Sequence, residues 1–317
     1  MSLRLKLLNF GARCVLRPKM KRAAPLTLRD DLERMAPRVF RLPPYTRIAP
    51  IRLTPKLQAA AISRRAGSRP PHPRRAVLWF HGGAFIGGSS RTHARLLARL
   101  SGLTRLEVIA PDYRRAPEDP FPAGVEDASA AFEALVARGY APENIVIGGD
   151  SAGGNFALGL LSKLLTDRIR PAAVVAFSPV TDLSFSGASV TENLGRDPML
   201  PGDLAEDAKT YYLAGADPLD PRASPLFATF PSPPPVFLQY GAAEILRDDS
   251  RRMAQKLRAA GGAVTLDEWP DAPHVFTMFD AYVPEAREGL ARAARFIDGL
   301  WPDRVWRDPE HLRRQAC

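Results

Sequence analysis

Short apolar runs alternate along this chain with segments whose apolar residues are three and four positions apart. Each run lies between glycine, proline or charged residues, as a buried strand does, and the intervening segments have the period of helices. The runs that predict strands are 76–80, 106–109, 145–147, 174–177, 236–239 and 264–268, and the segments that predict helices are 96–100, 128–136, 152–165, 248–260 and 285–300. Because strands and helices alternate, the pattern predicts right-handed crossovers and a mostly parallel central sheet flanked by helices.

The alternation lapses between residues 182 and 235, where proline and glycine are frequent and only short pieces such as 204–212 have a helical pattern. We interpret residues 183–234 as an insertion that forms, with residues 1–45, a helical cap over the carboxyl edge of the sheet. Ligands bind at that edge in open α/β sheets. The predicted catalytic domain is then 46–300, and residues 301–317 form a C-terminal tail.

The composition is that of a globular protein rich in proline. Of 317 residues, 45% are hydrophobic and 25% are charged, so the chain can bury a sizeable core. The 31 prolines are about double the usual share of roughly 5% and predict many rigid connections. The net charge of +10 favours anionic surroundings. No nucleic-acid-binding motif accompanies this charge, so we discount nucleic acid as a partner.

Positive charge is concentrated at the start of the chain. Basic residues are interleaved there with leucines, and no acid occurs before Asp30; the basic residues are Arg4, Lys6, Arg13, Arg17, Lys19, Lys21 and Arg22. Such a basic amphipathic arm could make a peripheral contact with a membrane surface, or it could pack as a solvated arm on the cap. Of the two interpretations, the sequence favours the packed arm.

The sequence predicts neither a membrane span nor a secretory leader. No stretch of about 18 uncharged apolar residues occurs, and the apolar run after Met1 is broken by Arg4 and Lys6. Cys14 and Cys317 stand near opposite ends and form neither a disulfide framework nor a metal-ligand cluster. We therefore expect a cytoplasmic protein without a metal or organic cofactor, and whether it is a monomer or a homodimer stays open.

One glycine-rich motif predicts a nucleophile. Gly149-Asp150-Ser151-Ala152-Gly153 has the pattern G-x-S-x-G and stands between a predicted strand and a predicted helix. In that context the pattern is typical of a nucleophile elbow, a tight turn that presents the serine hydroxyl at a helix amino terminus. The sequence therefore predicts Ser151 as the nucleophile. The alternative is a serine that only caps an ordinary helix.

A second glycine-rich motif, His81-Gly82-Gly83-Ala84, follows the first predicted strand, where an oxyanion-stabilising loop belongs in this kind of fold. Glycines let backbone amides turn toward a substrate oxygen, and we predict the amides of Gly83, Ala84 and Ala152 as the donors. His81 and Gly82 would support the loop. A phosphate-binding loop is the competing interpretation, but neither Gly-Lys-Ser/Thr nor G-x-G-x-x-G is present.

In these two motifs the sequence resembles the hormone-sensitive-lipase-like family of α/β hydrolases, a group of bacterial esterases marked by His-Gly-Gly-Gly and Gly-Asp-Ser-Ala-Gly-Gly. Further matching segments are Asp112-Tyr113-Arg114, Ala116-Pro117-Glu118, Pro120-Phe121-Pro122-Ala123, Ser178-Pro179 and Thr181-Asp182. The resemblance covers about residues 75–300 and implies an α/β-hydrolase fold. At Ala84 the family usually has a third glycine. Since the donor is the backbone amide, alanine should be tolerated there if its φ is negative, whereas a strained φ would cost roughly 1–3 kcal/mol. We expect a working oxyanion hole.

The resemblance also implies the other members of a catalytic triad. Of five histidines, His274 follows the last predicted strand in a segment similar to the family's histidine loop. The family often has Asp-Pro-Leu-x-Asp after the penultimate strand, and residues 244–248 correspond to it here, with Glu244 in the acid position. Either acid fits a triad. Asp248 is the alternative acid, although it fits better as the cap of the helix that starts near it.

Three further polar residues are expected to support the site. Asp150 is the neighbour of Ser151 in the chain, and this position points it away from the histidine, so we interpret it as structural or as lining the pocket. Asp112 and Arg114 are expected to form a buried or half-buried pair that braces the oxyanion loop.

These features predict a carboxylic ester hydrolase that acts on small-molecule esters through Ser151, His274, Glu244 and an acyl-enzyme intermediate. The compact cap favours short to medium acyl chains. A lactonase or a deacetylase/amidase could use the same triad. A non-catalytic small-molecule receptor is a further alternative, because this fold also serves as a receptor in relatives that have lost the histidine.

Overall fold

The computed structural model of the protein describes residues 1–22, 24–64 and 74–301. His72, His311, Cys317 and the tail beyond residue 301 lie outside these ranges. Within them, no helix is both long and apolar enough to cross a membrane.

Eight strands form one sheet in the order β1-β2-β4-β3-β5-β6-β7-β8. Their bounds are Thr46–Arg52 (β1), Gln58–Arg64 (β2), Ala76–Phe80 (β3), Glu107–Pro111 (β4), Ile145–Asp150 (β5), Ala173–Phe177 (β6), Val236–Gly241 (β7) and Val264–Trp269 (β8). From β4 to β8 every neighbouring pair is parallel, which confirms the predicted mostly parallel sheet. The carboxyl ends of β3, β5, β6 and β7 therefore lie along one edge.

β1 and β2 were not predicted from the sequence. They form an antiparallel pair at one edge of the sheet, and β2 also pairs antiparallel with β4. β1 is only half-buried and includes charged residues and Pro50, and β2 is built largely from alanines. In β1 the two arginines and Pro50 interrupt the apolar pattern despite its three β-branched residues. In β2 Ile62 is the only β-branched residue, and no residue is aromatic.

Ten α-helices are present in the described ranges. Their bounds are Leu3–Gly11 (α1), Arg17–Arg22 (α2), Pro25–Val39 (α3), Ala94–Thr104 (α4), Ala123–Ala137 (α5), Ala152–Thr166 (α6), Ser189–Glu192 (α7), Gly202–Leu213 (α8), Arg247–Ala259 (α9) and Pro284–Gly299 (α10). A π-helical turn, Ala12–Leu16, joins α1 to α2. Because α9 begins at Arg247, Asp248 lies in its first turn and is not its cap, contrary to the expectation from sequence.

The central strands are buried on both faces, so their side chains enter two cores alternately. In β3, Leu78 and Phe80 belong to the core that contains residues of α5, α6 and α9. Val77 and Trp79 belong to the core that contains residues of α4 and α10. The sheet is therefore the middle of three layers, as expected for a doubly covered α/β fold.

The first helices contact the insertion that was predicted to share a cap with them. Arg13 Nη2 donates to the carbonyl of Arg196 over 2.7 Å, and Arg17 Nη2 donates to that of Leu194 over 2.5 Å. Lys21 forms an ion pair of 3.0 Å with Asp203 in α8. These contacts are consistent with a cap built from both segments, and the division of the chain into domains stays a prediction.

Packing on the α4 side predicts a large stability loss on truncation of Leu97. Its side chain is fully buried among β-sheet and α10 residues, so Leu97→Ala should lower the free energy of unfolding by about 2–5 kcal/mol. Urea denaturation monitored by circular dichroism measures this. Leu219→Ala is the matched control because Leu219 is exposed, and an equal loss in both variants would contradict the packing described here.

Candidate active site

The turn between β5 and α6 carries Ser151 in a strained backbone conformation, with φ 54° and ψ −119°. The turn is tight because the chain passes very close to itself: a Cβ on Gly149 would overlap the carbonyl of Gly153. A Cβ on Gly153 would overlap the carbonyl of Phe80 at the end of β3. Ser151 stands at the cap position of α6, but its hydroxyl makes no capping hydrogen bond, so the helix-cap alternative gains no support.

Three side chains meet in line at the carboxyl edge of the sheet. Ser151 Oγ lies 2.9 Å from His274 Nε2, and His274 Nδ1 lies 2.7 Å from Glu244 Oε2. All three residues are buried, with Glu244 fully so. The arrangement has a hydroxyl next to a histidine whose other nitrogen is held by a carboxylate, which is the geometry of an activated nucleophile.

The carboxylate of Glu244 is held on its other oxygen as well. Oε1 accepts from the amide of Gly241 over 2.5 Å and from Ser178 Oγ over 2.7 Å. Ser178 Oγ also accepts from the amide of Val275, over 3.2 Å. The Ser178 hydroxyl therefore joins the loop that carries Glu244 to the loop that carries His274.

Asp248, the alternative acid, has other partners. Its carboxylate accepts from the amide of Ser189 over 2.9 Å and from Arg247 Nε over 2.8 Å. Ser189 Oγ in turn accepts from the amide of Asp248. Asp248 therefore links α9 to α7, and no hydrogen bond connects it to His274 within the described residues.

Two residues of the insertion hold the backbone around Glu244. Asn193 Nδ2 donates to the carbonyl of Glu244 over 2.8 Å, and Asp197 Oδ2 accepts from the amide of Ile245 over 2.9 Å. Asp197 is fully buried. Burial, and then the nearby charge of Glu244, raise the pKa of Asp197 above its ordinary value.

The surroundings of His274 determine the pKa of its imidazole. Burial by itself would lower the pKa of this imidazole, but the charge of the Glu244 carboxylate and its hydrogen bond outweigh burial. The pKa of His274 is therefore raised above its ordinary value of 6.5. A histidine so placed is a stronger base than a free one.

The loop that carries two of the three predicted oxyanion donors passes close to Ser151, since a Cβ on Gly82 would lie 3.2 Å from the Cβ of Ser151. Within residues 1–22, 24–64 and 74–301, the amides of Gly83, Ala84 and Ala152 donate to no protein acceptor. Ala84 has a φ of 56°, so the strained alternative applies and not the negative φ. The loop is closed by hydrogen bonds from the amides of Ile86 and Gly87 to the carbonyl of Gly83, and this tight turn imposes the left-handed conformation. A non-glycine residue in this conformation lowers the stability of the fold by about 1–3 kcal/mol.

Asp150 lies beneath this loop and points away from His274. Its Oδ2 accepts from the amide of Gly82 over 3.0 Å and from His93 Nε2 over 3.1 Å, and its Oδ1 accepts from Trp79 Nε1 over 2.9 Å. Burial would raise the pKa of Asp150, but the charge of His93 outweighs it and lowers that pKa. Burial would lower the pKa of His93, and the charge of Asp150 raises it. The two form a buried ion pair.

His81 and Tyr113 pack under the same loop. Their rings are stacked with centroids 4.2 Å apart, and Tyr113 donates its hydroxyl to the carbonyl of His81 over 2.5 Å. Burial, and then the positive charge of His93, lower the pKa of His81 to about 3. His81 is therefore neutral and has the geometry of a support for the loop.

Asp112 and Arg114 do not form the expected pair. Both are exposed, and Arg114 is bonded to Asp127 and Glu126 of α5. Asp112 accepts from the amide of Ser90 over 2.7 Å and from its hydroxyl over 3.1 Å. The expectation is wrong because their side chains, two positions apart, are directed to different elements; Asp112 alone contacts the segment after the oxyanion loop.

The sequence did not single out Ser178, Asn193, Asp197 or His93 as parts of the site. Ser178 follows directly after β6 at the carboxyl edge of the sheet, where ligands bind in this class of fold, so its position in the sequence could have indicated it. His93 directly precedes α4, and no motif of the sequence marks it. Asn193 and Asp197 lie in the irregular insertion, where no strand or helix pattern indicates what a side chain will contact.

A separate cavity of about 710 Å³ lies between α5, α6 and the 221–229 segment. Its α6 residues run from Gly159 to Thr166, so they begin about two turns beyond Ser151. None of the residues described around Ser151 lines it. Within the described part of the chain, no cluster of three histidine, cysteine or acidic side chains could hold a metal ion.

Comparison with known proteins identifies the family. The sequence profile of a family described as alpha/beta hydrolase fold matches residues 77–278. An acetyl-hydrolase of Streptomyces hygroscopicus is 40% identical over 225 residues, which are 70% of this chain and 75% of that protein. An esterase of Acinetobacter venetianus is 34% identical over 285 residues, which are 89% and 92% of the two chains.

A solved structure extends the comparison to three dimensions. The crystal structure of an esterase from the bacterial hormone-sensitive lipase family superposes with a TM-score of 0.87 at 33% identity, over 95% of this chain and 99% of its own. The profile match covers more than half of the chain, and the structural match covers nearly all of it. The chain is therefore a carboxylesterase-like serine hydrolase that belongs to the hormone-sensitive-lipase-like family of α/β hydrolases.

Proposed function

We propose that the protein cleaves carboxylic esters with Ser151 as nucleophile, His274 as general base and acid, and Glu244 as the acid that orients His274. The observation that carries the proposal is the continuous line of hydrogen bonds, 2.9 Å and 2.7 Å long, from the serine hydroxyl through the imidazole to a buried carboxylate. The amides of Gly83, Ala84 and Ala152 complete the site as oxyanion donors.

In the first half of the reaction, Ser151 Oγ attacks the ester carbonyl carbon while its proton passes to Nε2 of neutral His274. The carbonyl electron pair moves to the oxygen, where the three amides stabilise the negative charge. Glu244 stabilises the imidazolium that has formed. When the tetrahedral intermediate collapses, the alkoxide leaves and takes the proton from His274.

In the second half, a water molecule attacks the acyl-serine carbonyl and gives a proton to His274. Collapse of the second tetrahedral intermediate releases the carboxylic acid, and His274 returns the proton to Ser151 Oγ. Each half therefore ends with a neutral His274, ready for the next turnover.

We propose small-molecule esters of short to medium acyl length as substrates. One relative is named an acetyl-hydrolase, which supports the short end of this range. Phe85, next to the oxyanion loop, stacks on Tyr212 of α8 with centroids 3.9 Å apart. Aromatic contacts of this kind between loop and insertion favour a compact site over one for long chains. Lactones and amides are the alternative substrates for the same residues.

Substitution of the three side chains tests the assignment. Ser151→Ala and His274→Ala should each lower kcat on p-nitrophenyl esters by several orders of magnitude, because covalent catalysis is lost. Glu244→Gln should lower it by a smaller but large factor, because an amide cannot stabilise the imidazolium. Asp248→Asn is the control and should keep near-wild-type turnover. If Asp248→Asn is inactive and Glu244→Gln is active, the acid is wrongly assigned.

The same assay with acyl chains from about two to sixteen carbons locates the length optimum. A serine-directed phosphonate should label the wild type and not Ser151→Ala. Activity on lactones or amides but on no p-nitrophenyl ester would contradict the proposed substrate class and leave the triad intact. Absence of both turnover and labelling in folded protein would instead support a non-catalytic receptor.

The raised pKa of His274 predicts where activity is lost in acid. The base must be neutral, so kcat/KM should fall as pH drops through a pKa above 6.5. In Glu244→Gln the cause that raises this pKa is removed and burial prevails, so the acid limb of the residual activity should move to lower pH. A pH–rate profile of both proteins measures this. A wild-type profile that is flat between about pH 5 and 8 would contradict the role of His274.

Asp150 is proposed as a positioning residue for the oxyanion loop, because its carboxylate holds the amide of Gly82. Asp150→Ala should lower kcat by about tenfold or more with little change in KM, because the donors that follow Gly82 lose their alignment. Asp150→Asn keeps an acceptor oxygen and should lose less. The thermal unfolding of each variant shows that it is folded. An unchanged kcat in Asp150→Ala would contradict this role.

A further inference from the structure

The helical segment at the start of the chain has large apolar side chains on the side that faces solvent. Leu3, Leu7, Phe10 and Val15 are 71%, 61%, 68% and 69% exposed. We define these four residues as the outer stripe. The opposite side of the same segment is packed on the protein, since Leu5 is buried in a cluster with Phe276, Val283 and neighbouring residues. The segment therefore has two apolar sides, and only one of them is used by the fold.

The π-helical turn keeps the outer stripe continuous. In an α-helix, the residues on the same side after Leu7 and Phe10 would be at 13, 14 and 17. The turn at Ala12–Leu16 has hydrogen bonds that span five residues instead of four. This spacing places Val15, five residues after Phe10, on the side of Phe10, where it is exposed. The side chain of Arg13 instead reaches the carbonyl of Arg196 in the insertion. An irregularity of the helix thus extends an exposed apolar surface.

Basic residues flank the outer stripe, and the carboxylate of Glu285 that reaches this helix is bonded to Ser2. Residues 1–22 contain seven lysines and arginines and no acid. Arg4, Lys6 and Arg13 are exposed, and none has an acidic partner in the part of the chain that the structure describes. Residues 1–45 contain eleven basic and three acidic residues, which account for eight of the chain's ten net positive charges.

The segment is held firmly with the outer stripe turned outward. Ser2 donates its amide and its hydroxyl to the carboxylate of Glu285 over 2.6 and 2.8 Å. Asn9 Nδ2 donates to the carbonyl of Asp271 over 2.8 Å, three residues before His274. These contacts fix the rotation of the helix about its axis, so the apolar side cannot turn inward without breaking them.

We propose that the outer stripe and its basic flanks bind the surface of an anionic lipid bilayer, with the helix lying in the plane of the interface. Apolar side chains on one side and lysine or arginine beside them are what such binding requires. A second copy of the chain fits less well, because a symmetric contact would bring Arg4 and Lys6 of both copies together. Nucleic acid would use the basic residues but not four exposed apolar side chains.

Vesicle binding tests the proposal. Wild-type protein should co-sediment with vesicles of phosphatidylglycerol and phosphatidylcholine, more weakly with pure phosphatidylcholine, and more weakly as salt is added. Leu7→Ser/Phe10→Ser should lower the partition coefficient by at least about tenfold. Arg4→Glu/Lys6→Glu should lower it by more than about tenfold on the anionic vesicles and much less on the neutral ones.

Matched controls distinguish binding by the outer stripe from non-specific binding by other exposed apolar residues, and from effects on catalysis. Leu219→Ser/Phe227→Ser changes the same residue types at other exposed positions, 51% and 38% exposed, and should bind vesicles like the wild type. All these variants should hydrolyse a soluble p-nitrophenyl ester at the wild-type rate. The vesicle result does not depend on ester hydrolysis, so failure of the proposed function would leave it standing.

Cys14 is exposed and lies between Phe10 and Val15 in the chain, so a label on it reports directly whether the outer stripe contacts the lipid. A polarity-sensitive fluorophore coupled to it in a Cys317→Ser background should shift to the blue when anionic vesicles are added. The proposal is overturned if the wild type does not bind anionic vesicles at low salt, or if the Leu219→Ser/Phe227→Ser control loses as much binding as Leu7→Ser/Phe10→Ser. It is also overturned if sedimentation equilibrium shows a dimer that Leu7→Ser/Phe10→Ser abolishes while vesicles are not bound.

Discussion

The whole site depends on the close approach of two backbone segments where β3 and β5 end. Gly153, at the start of α6, lies so near the carbonyl of Phe80 that no side chain fits between them. At Gly82 a Cβ would likewise overlap the carboxylate of Asp150. Without these two glycines the oxyanion loop would be pushed away from the turn that carries Ser151. The distance between Ser151 and the loop of residues 81–84 is therefore fixed by backbone packing and not by flexible side chains.

Burial then determines which charges the site can keep. A charge removed from water is tolerated only with a partner and hydrogen bonds. The carboxylate of Asp150 has His93, Trp79 and the amide of Gly82. That of Glu244 has His274, Ser178 and the amide of Gly241. Because each carboxylate is fully supplied with donors, Asp150 is committed to the loop and Glu244 to the histidine, although both are acids within one small volume.

The sequence predicted the parts of the molecule that depend on regular patterns. Apolar runs located β3 to β8, and G-x-S-x-G between a strand and a helix located Ser151. The alanine-rich strand β2 was not predicted because most of its residues have little preference for strands. The pairing of Asp112 with Arg114 was wrong because residues close in sequence on an irregular segment can face different elements. The sequence left the φ of Ala84 open because turn geometry is set by the hydrogen bonds that close the turn, which a motif does not reveal.

The residues that hydrogen-bond the backbone at Glu244 could not be predicted, because they lie in the insertion and not in the segment that carries Glu244. Their contacts also show how the predicted cap is attached to the sheet. Asn193 and Asp197 belong to the insertion, yet they hold the backbone at Glu244 and Ile245. The same stretch of the insertion accepts hydrogen bonds from Arg13 and Arg17, while Asn9 bonds the loop that leads to His274.

The first helices, the insertion and the loops that carry Glu244 and His274 are thus connected by consecutive hydrogen bonds. Displacement of the insertion would take Asn193 and Asp197 away from the Glu244 loop and leave the carbonyl of Glu244 and the amide of Ile245 without these partners, at a cost of about 1–3 kcal/mol for each buried polar group left unpaired. The role proposed for Glu244 therefore requires the residues around Asp197 to stay in place during turnover. An opening that admits substrate would then have to occur in other parts of the insertion.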